Sequence, residues 1–124
     1  MDKKREKILL CVATQKGFEV LKVATEYQNH YSFWVCTFEE KGVTYSYHTS
    51  IQQVAQEAGC ALLPLEEYRS ALPEFVTQEG IQAILCIGWR FLIPHMVIDL
   101  LPKGVVIAHD SLLPKFRGFA PLPT

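Results

Sequence analysis

The amino-acid sequence predicts an α/β domain, a mostly parallel sheet with helices on both of its faces. Short apolar runs recur along the 124 residues, each the length of a strand and bounded by glycine, proline or charge. The segments between them space their apolar residues at helical intervals. Read in order, the elements alternate as β-α-β-α-β-α-β-α-β, a pattern that joins parallel strands through helical crossovers.

The first strand is Ile8-Leu-Leu-Cys-Val-Ala13, apolar throughout as expected of a strand covered on both faces. Thr14 to Gly17 reads as the turn after it. A helix follows over Phe18 to Tyr27, its apolar residues at 18, 20, 21, 23, 24 and 27 sharing one face. Ser32 to Phe38 is the second strand. Glu39 to Gly42 is turn-like, and Val43 to Tyr47 is a candidate strand extension. Ser50 has the chemistry of an N-cap for a helix over Ile51 to Ala58, which Gly59 stops. Cys60 to Leu63 forms a short third strand closed by Pro64. Glu66 to Gln78 is helical, with Pro73 either kinking it or opening a second short helix. Ile81 to Ile87 is the fourth strand and ends at Gly88-Trp89. Pro94 opens a helix over His95 to Leu101, and Gly104 leads into a fifth, short buried strand, Val105 to Ala108. This is a Rossmann-like order in one domain spanning residues 1–124.

Composition narrows the function classes. Apolar residues make up 49 %, enough to bury a core without disulfides or metal. The net charge of −1 gives no electrostatic reason to expect nucleic acid or membrane as partner. The mixed-sign run Asp2 to Lys7 reads as a solvated arm. No apolar run reaches the roughly twenty residues of a membrane span. The four cysteines, at 11, 36, 60 and 86, form no C-x-x-C pair and have no histidine at zinc-like spacing. They read as small buried hydrophobes in a reducing compartment, so a cytoplasmic location is expected and no metal. His30, His48 and His95 have no companions and read as surface or core-edge residues. The turn after the first strand carries one glycine, Gly17, and no G-x-G-x-x-G or P-loop pattern, so a dinucleotide site is not expected.

Chemistry concentrates at the end of the fifth strand. His109, Asp110 and Ser111 follow Ala108 where ligands bind in open α/β sheets, outside the carboxyl ends of the strands. His109-Asp-Ser-Leu-Leu-Pro114, then Arg117-Gly118 and Ala120-Pro121, resembles the signature of the 10-formyltetrahydrofolate-dependent formyltransferases, a family with methionyl-tRNA, glycinamide ribonucleotide and sugar N-formyltransferase members. The sub-pattern looks closest to the sugar N-formyltransferase-like members. The resemblance covers the chain at fold level and residues 86 to 122 at motif level. It implies the N-terminal part of a formyltransferase fold, with 10-formyltetrahydrofolate as formyl donor and a small-molecule amine as acceptor, a nucleotide-linked amino sugar being preferred.

The resemblance also implies site residues. His109 is the expected catalytic group, donating to the oxyanion that develops when an amine attacks the formyl carbon, or shuttling its proton. The stretch Ile87, Gly88, Trp89, Arg90, Phe91, Leu92 and Ile93 resembles the family's folate loop. Leu112, Leu113 and Pro114 either wall the pterin pocket or belong to the core. Ser111 reads first as a turn-capping hydroxyl. Arg117 and Gly118 belong to the substrate or loop region, Arg117 either holding the loop or an anion, or standing as a solvated charge. Trp89 either flanks the folate loop or packs at a strand end.

Two departures from the family pattern bear on activity. Ile107 occupies the position two before the histidine where the family usually has an asparagine, and it has no side-chain donor. The family's catalytic aspartate lies in a downstream D-x-G-x-I-like segment that these 124 residues do not contain. The expectation is therefore an incomplete, weakly active or inactive formyltransferase. The alternative is a non-catalytic folate- or partner-binding module, with a homodimer as one way to cover a bare sheet edge.

Overall fold

The structure is a computed structural model and describes residues 4–108. Strands β1 (Glu6–Val12), β2 (Tyr31–Cys36), β3 (Ala61–Leu62), β4 (Ile81–Ile87) and β5 (Val105–Ala108) form one sheet in the order β3-β2-β1-β4-β5. Every neighbouring pair is parallel. Helices α1 (Thr14–Ala24), α2 (His48–Glu57), α3 (Leu65–Glu79) and α4 (His95–Asp99) connect them in turn. The chain first steps outward from β1 to β3, then crosses back to β4. Right-handed crossovers of opposite travel place α1 and α2 on one face and α3 and α4 on the other.

Period-two alternation along the strands builds two cores. On the α3/α4 face Leu9 and Cys11 of β1, Cys36 of β2, and Ile84 and Cys86 of β4 meet Tyr68, Leu72, Phe75 and Val97. On the other face Leu10, Val12, Val35 and Ile87 meet Leu21, Ile51 and Ala55. Complete burial of an aliphatic side chain contributes about 1.5–3 kcal/mol, so these strands hold the sheet regardless of loop chemistry. All four cysteines are free and buried.

Several sequence expectations change. Thr14 to Gly17 is not a separate turn but the first turn of α1, where the Gly17 N–H bonds the Ala13 carbonyl at 3.1 Å. Gly17 is small for packing: a Cβ there would lie 3.0 Å from Val12 Cβ and 3.2 Å from the Ile87 carbonyl oxygen. The helix is α to Ala24 and continues as one 3₁₀ turn over Thr25–Tyr27. Val43 to Tyr47 is not a strand. Tyr45 and Tyr47 stack edge-on at 4.6 Å instead of pairing with the sheet. Helix α2 starts at His48, so Ser50 is not its N-cap; the Ser50 hydroxyl meets that of Tyr45 at 2.9 Å. Glu6 and Lys7 are not part of a solvated arm but open β1, pairing with Lys103 and Glu79. In α3 the break falls at Ala71, whose φ of −144° leaves the helical region two residues before Pro73. Among the described residues the fifth strand is not buried, because it stands at the edge of the sheet they form. Val106 and Ile107 are each 55 % exposed.

Candidate functional site at the carboxyl ends of the strands

The order β3-β2-β1-β4-β5 reverses direction between β1 and β4, and in open parallel sheets the ligand crevice opens outside the carboxyl ends at such a point. Here the two strand ends are drawn tightly together. The Ala13 N–H bonds the Ile87 carbonyl at 3.0 Å. Gly88 has φ +67°, and a Cβ on it would stand 2.5 Å from the Ala13 carbonyl oxygen and 2.6 Å from Thr14 Oγ1. Thr14 itself has φ +69°, a conformation that a β-branched residue adopts only under tertiary constraint. The strain therefore sits where β1 and β4 deliver their loops.

The loop leaving β4 is built from aromatic rings. Trp89 Nε1 donates to the Tyr68 hydroxyl at 3.1 Å, and that hydroxyl donates to the Leu92 carbonyl at 3.0 Å. Trp89, Phe91, Phe38 and Tyr68 pack edge-to-face with centroids 5.2–5.5 Å apart for four of their pairs. The Arg90 guanidinium lies 4.9 Å from the Phe38 ring centre and that of Arg69 lies 5.7 Å from Phe91. Burial pushes the Tyr68 hydroxyl above its ordinary pKa, although the Trp89 N–H works in the opposite direction. Through these two hydrogen bonds Tyr68 ties the loop to α3. Beneath it Cys11, Cys36 and Cys86 stand side by side in register on three strands. Burial pushes the Cys36 thiol up to about 12, and raises that of Cys11 well above its usual range with the Cys86 thiol adding to the effect.

The structure gives each residue of the expected folate loop a place. Ile87 is 5 % exposed and packs in the α1/α2 core. Gly88 is the close-approach point. Trp89, Phe91 and Ile93 pack against the α3/α4 core. Arg90 is exposed over Phe38. Leu92 is 90 % exposed, its carbonyl tied to Tyr68 while its side chain faces outward. Leu92, Phe91, Arg69 and the α3 kink border a cavity of about 230 Å³. Ile107, expected from the resemblance to stand where the family has an asparagine, pairs with Cys86. His109, Ser111, Leu112, Leu113, Pro114, Arg117 and Gly118 lie outside the described residues.

Sequence reasoning passed over Thr14, Thr37, Phe38 and Tyr68. Tyr68 sits in mid-helix and Phe38 closes an apolar strand, so neither carried a local signal. A larger apolar cavity of about 430 Å³ lies among Ile8, Val20, Tyr27 and Leu85, toward the amino ends of the strands, away from the ligand crevice of this fold class. Among the described residues no cluster of His, Cys, Asp and Glu has the geometry of a metal site, and no helix is long and apolar enough to cross a membrane.

A five-stranded all-parallel sheet with helices on both faces and a reversal between β1 and β4 defines a Rossmann-like α/β domain. Comparison with known proteins then places it: residues 6–124 match the formyl transferase family, and the chain belongs to that family. It is 37 % identical over 73 residues to a methionyl-tRNA formyltransferase of Solibacter usitatus (strain Ellin6076), a stretch that covers 58 % of this chain and 24 % of that protein. It is 42 % identical over 57 residues to one of Koribacter versatilis (strain Ellin345), covering 46 % and 17 %. With one of Rhodopseudomonas palustris (strain HaA2) the identity is 34 % over 77 residues, covering 60 % and 24 %. The chain thus spans about a quarter or less of the length of these curated relatives.

Proposed function

We propose that this chain is the cofactor-facing N-terminal part of an enzyme that moves a formyl group from 10-formyltetrahydrofolate to an amine. The observation that carries the reading is the family match together with the locked loop at Gly88 to Leu92. That loop offers backbone groups and the exposed Leu92 side chain, beside the cationic Arg90, to a planar, anionic cofactor. His109 supplies a donor to the oxyanion as the amine nitrogen bonds the formyl carbon. The bond from that carbon to the cofactor's N10 then breaks, and the proton lost by the amine ends on N10.

The acceptor amine is carried on a nucleotide. A nucleotide-linked amino sugar is the reading favoured by His109 to Pro121. Aminoacyl-tRNA is the second reading, favoured by the names of the relatives, although net charge alone gave no electrostatic reason to expect nucleic acid. The buried free thiols fit a reducing, cytoplasmic setting. The exposed edge of β5 offers a second copy a strand to pair with, which sedimentation would reveal.

The test is calorimetric titration of the 124-residue chain with a stable folate analogue, followed by formyl-transfer assays. Binding that is lost in Leu92→Asp is expected. Turnover by the 124 residues alone is expected to be at least about 10²-fold below that of a chain carrying the D-x-G-x-I segment, since a missing oxyanion or base partner costs on that order. Absence of folate binding at millimolar ligand would sink the cofactor assignment.

A further inference from the structure

Another cavity, with both polar and apolar lining and separate from the loop at Gly88, opens at the carboxyl ends of β2 and β3. Its volume is about 400 Å³, and it lies between the start of α2 and the start of α3. Thr37, the residue just past β2, is one of its lining residues. Thr37 is 7 % exposed, and its hydroxyl is sealed from solvent with no hydrogen-bond partner among the described residues. A buried hydroxyl without a partner costs about 1–3 kcal/mol, and a native fold retains one where something else satisfies it. Glu39, two residues on and exposed, also lines it. His48 and Gln52 line the cavity from α2, where a spacing of four brings them onto one helical face. Phe38, Leu62 and Pro64 supply apolar walls.

This donor set selects a ligand. A carboxylate just beyond the second strand of such a sheet is placed to accept hydrogen bonds from the vicinal hydroxyls of a ribose. An amide and a hydroxyl each donate and accept, which suits the mixed edge of a nucleobase held between apolar walls. The turn at Ala13 to Gly17 has one glycine and a strained threonine, so it builds no cradle for a bridging pyrophosphate. Phe38 belongs both to this cavity and to the aromatic cluster under the folate loop, so the two sites share a wall.

We propose that the Thr37–Glu39–Gln52 cavity binds a ribonucleoside, the nucleotide part of the amine acceptor, with Glu39 on the ribose diol and Thr37 and Gln52 on the base. The inference deepens the formyltransferase reading and rests on it for the identity of the acceptor. Calorimetric titration of the 124-residue chain with uridine 5′-diphosphate and with adenosine 5′-monophosphate tests it. Binding of at least one probe is expected, weakened about tenfold or more by Glu39→Gln, by Thr37→Val, and by removing the probe's 2′-hydroxyl. Preference for the uridine probe points to a nucleotide-linked sugar. Preference for the adenosine probe points to the terminal nucleoside of a tRNA. Glu39 is exposed, so Glu39→Gln tests the site without disturbing the core. No binding of either probe at several millimolar, or binding indifferent to Glu39→Gln and Thr37→Val, overturns the proposal. Folate-analogue binding in the same preparation keeps that failure distinct from failure of the formyltransferase reading.

Discussion

The loops leaving β4 and β2 end at the same edge of the sheet yet are built on opposite plans. The β4 loop is over-determined. Gly88 touches the Ala13 backbone, Trp89 is bonded to Tyr68, Tyr68 to the Leu92 carbonyl, and four rings fill the space between. The β2 loop leaves a cavity over a hydroxyl that no described residue satisfies. The difference separates two ways of preparing a site. Rigid packing fixes where a loop presents its backbone, whereas an unfilled polar cavity keeps unmet hydrogen-bonding capacity for a ligand.

Breaking the locked loop gives the largest effect. In Gly88→Ala the new Cβ would have to stand 2.5 Å from the Ala13 carbonyl oxygen at φ +67°, so β1 and β4 must separate at their ends. The expected loss is above about 3 kcal/mol, seen as a fall of about 10 °C or more in Tm. Gly42→Ala is the control. Its φ is +73°, but nothing described lies within 4 Å of an added Cβ, so only the conformational cost of about 1 kcal/mol remains. Equal losses in the two variants would show that strand-end contact is not what fixes the loop.

The contrast also explains what was legible in the sequence. All five strands were readable because each carries a short, largely apolar run, and their order of alternation dictated a parallel sheet. The loops were not. Gly17 looked like a turn residue, but its missing side chain makes room for Val12 and the Ile87 carbonyl. Val105 to Ala108 looked buried because β-branched apolar residues mark strands without saying which strand lies at the edge. Trp89 was visible as a strand-end aromatic, while its partner Tyr68 lies 21 residues away in mid-helix. Thr37 is one polar residue at the end of an apolar strand, and only three-dimensional packing reveals that its hydroxyl is unmatched.

Alkali should destabilise the fold through the buried thiols of β1 and β2. The folded state holds the Cys11 and Cys36 thiols above their ordinary pKa, chiefly by burial. The unfolded chain ionises them from about pH 9 while the folded chain keeps its protons, so unfolded molecules bind fewer protons and stability falls as pH rises. For Cys36 the contribution is intact below pH 9 and is lost toward about pH 12, at up to about 1.4 kcal/mol per pH unit, and the Cys11 thiol acts in the same direction. Denaturant titrations from pH 8 to 11 measure the slope, and a Cys11→Ala, Cys36→Ala double variant should flatten it. An unchanged slope would mean that other groups carry the alkaline transition.

A smaller loss tests the ring cluster itself. Trp89→Phe keeps an aromatic ring but removes the N–H that Tyr68 accepts at 3.1 Å. Tyr68 retains its bond to the Leu92 carbonyl, so the expected cost is about 1–2 kcal/mol, with folate-analogue affinity falling as Leu92 gains freedom. Chemical denaturation gives the first quantity and titration the second. A stability loss with unchanged affinity would make the cluster a support of the core alone.

The β2 side predicts a change of opposite sign. Thr37→Val replaces an unpartnered buried hydroxyl by a methyl of similar size, in a residue type that suits extended backbone. With no hydrogen bond to lose among the described residues, the variant should be more stable by about 1 kcal/mol in the absence of ligand. It should also bind nucleotide less well, so that saturating ligand raises the Tm of the parent chain more than that of the variant. Crossing of the two stability curves as nucleotide is added is the expected signature. A variant destabilised at every ligand concentration would show that the Thr37 hydroxyl is already satisfied within the fold, and would leave the cavity at β2 no reason to be polar.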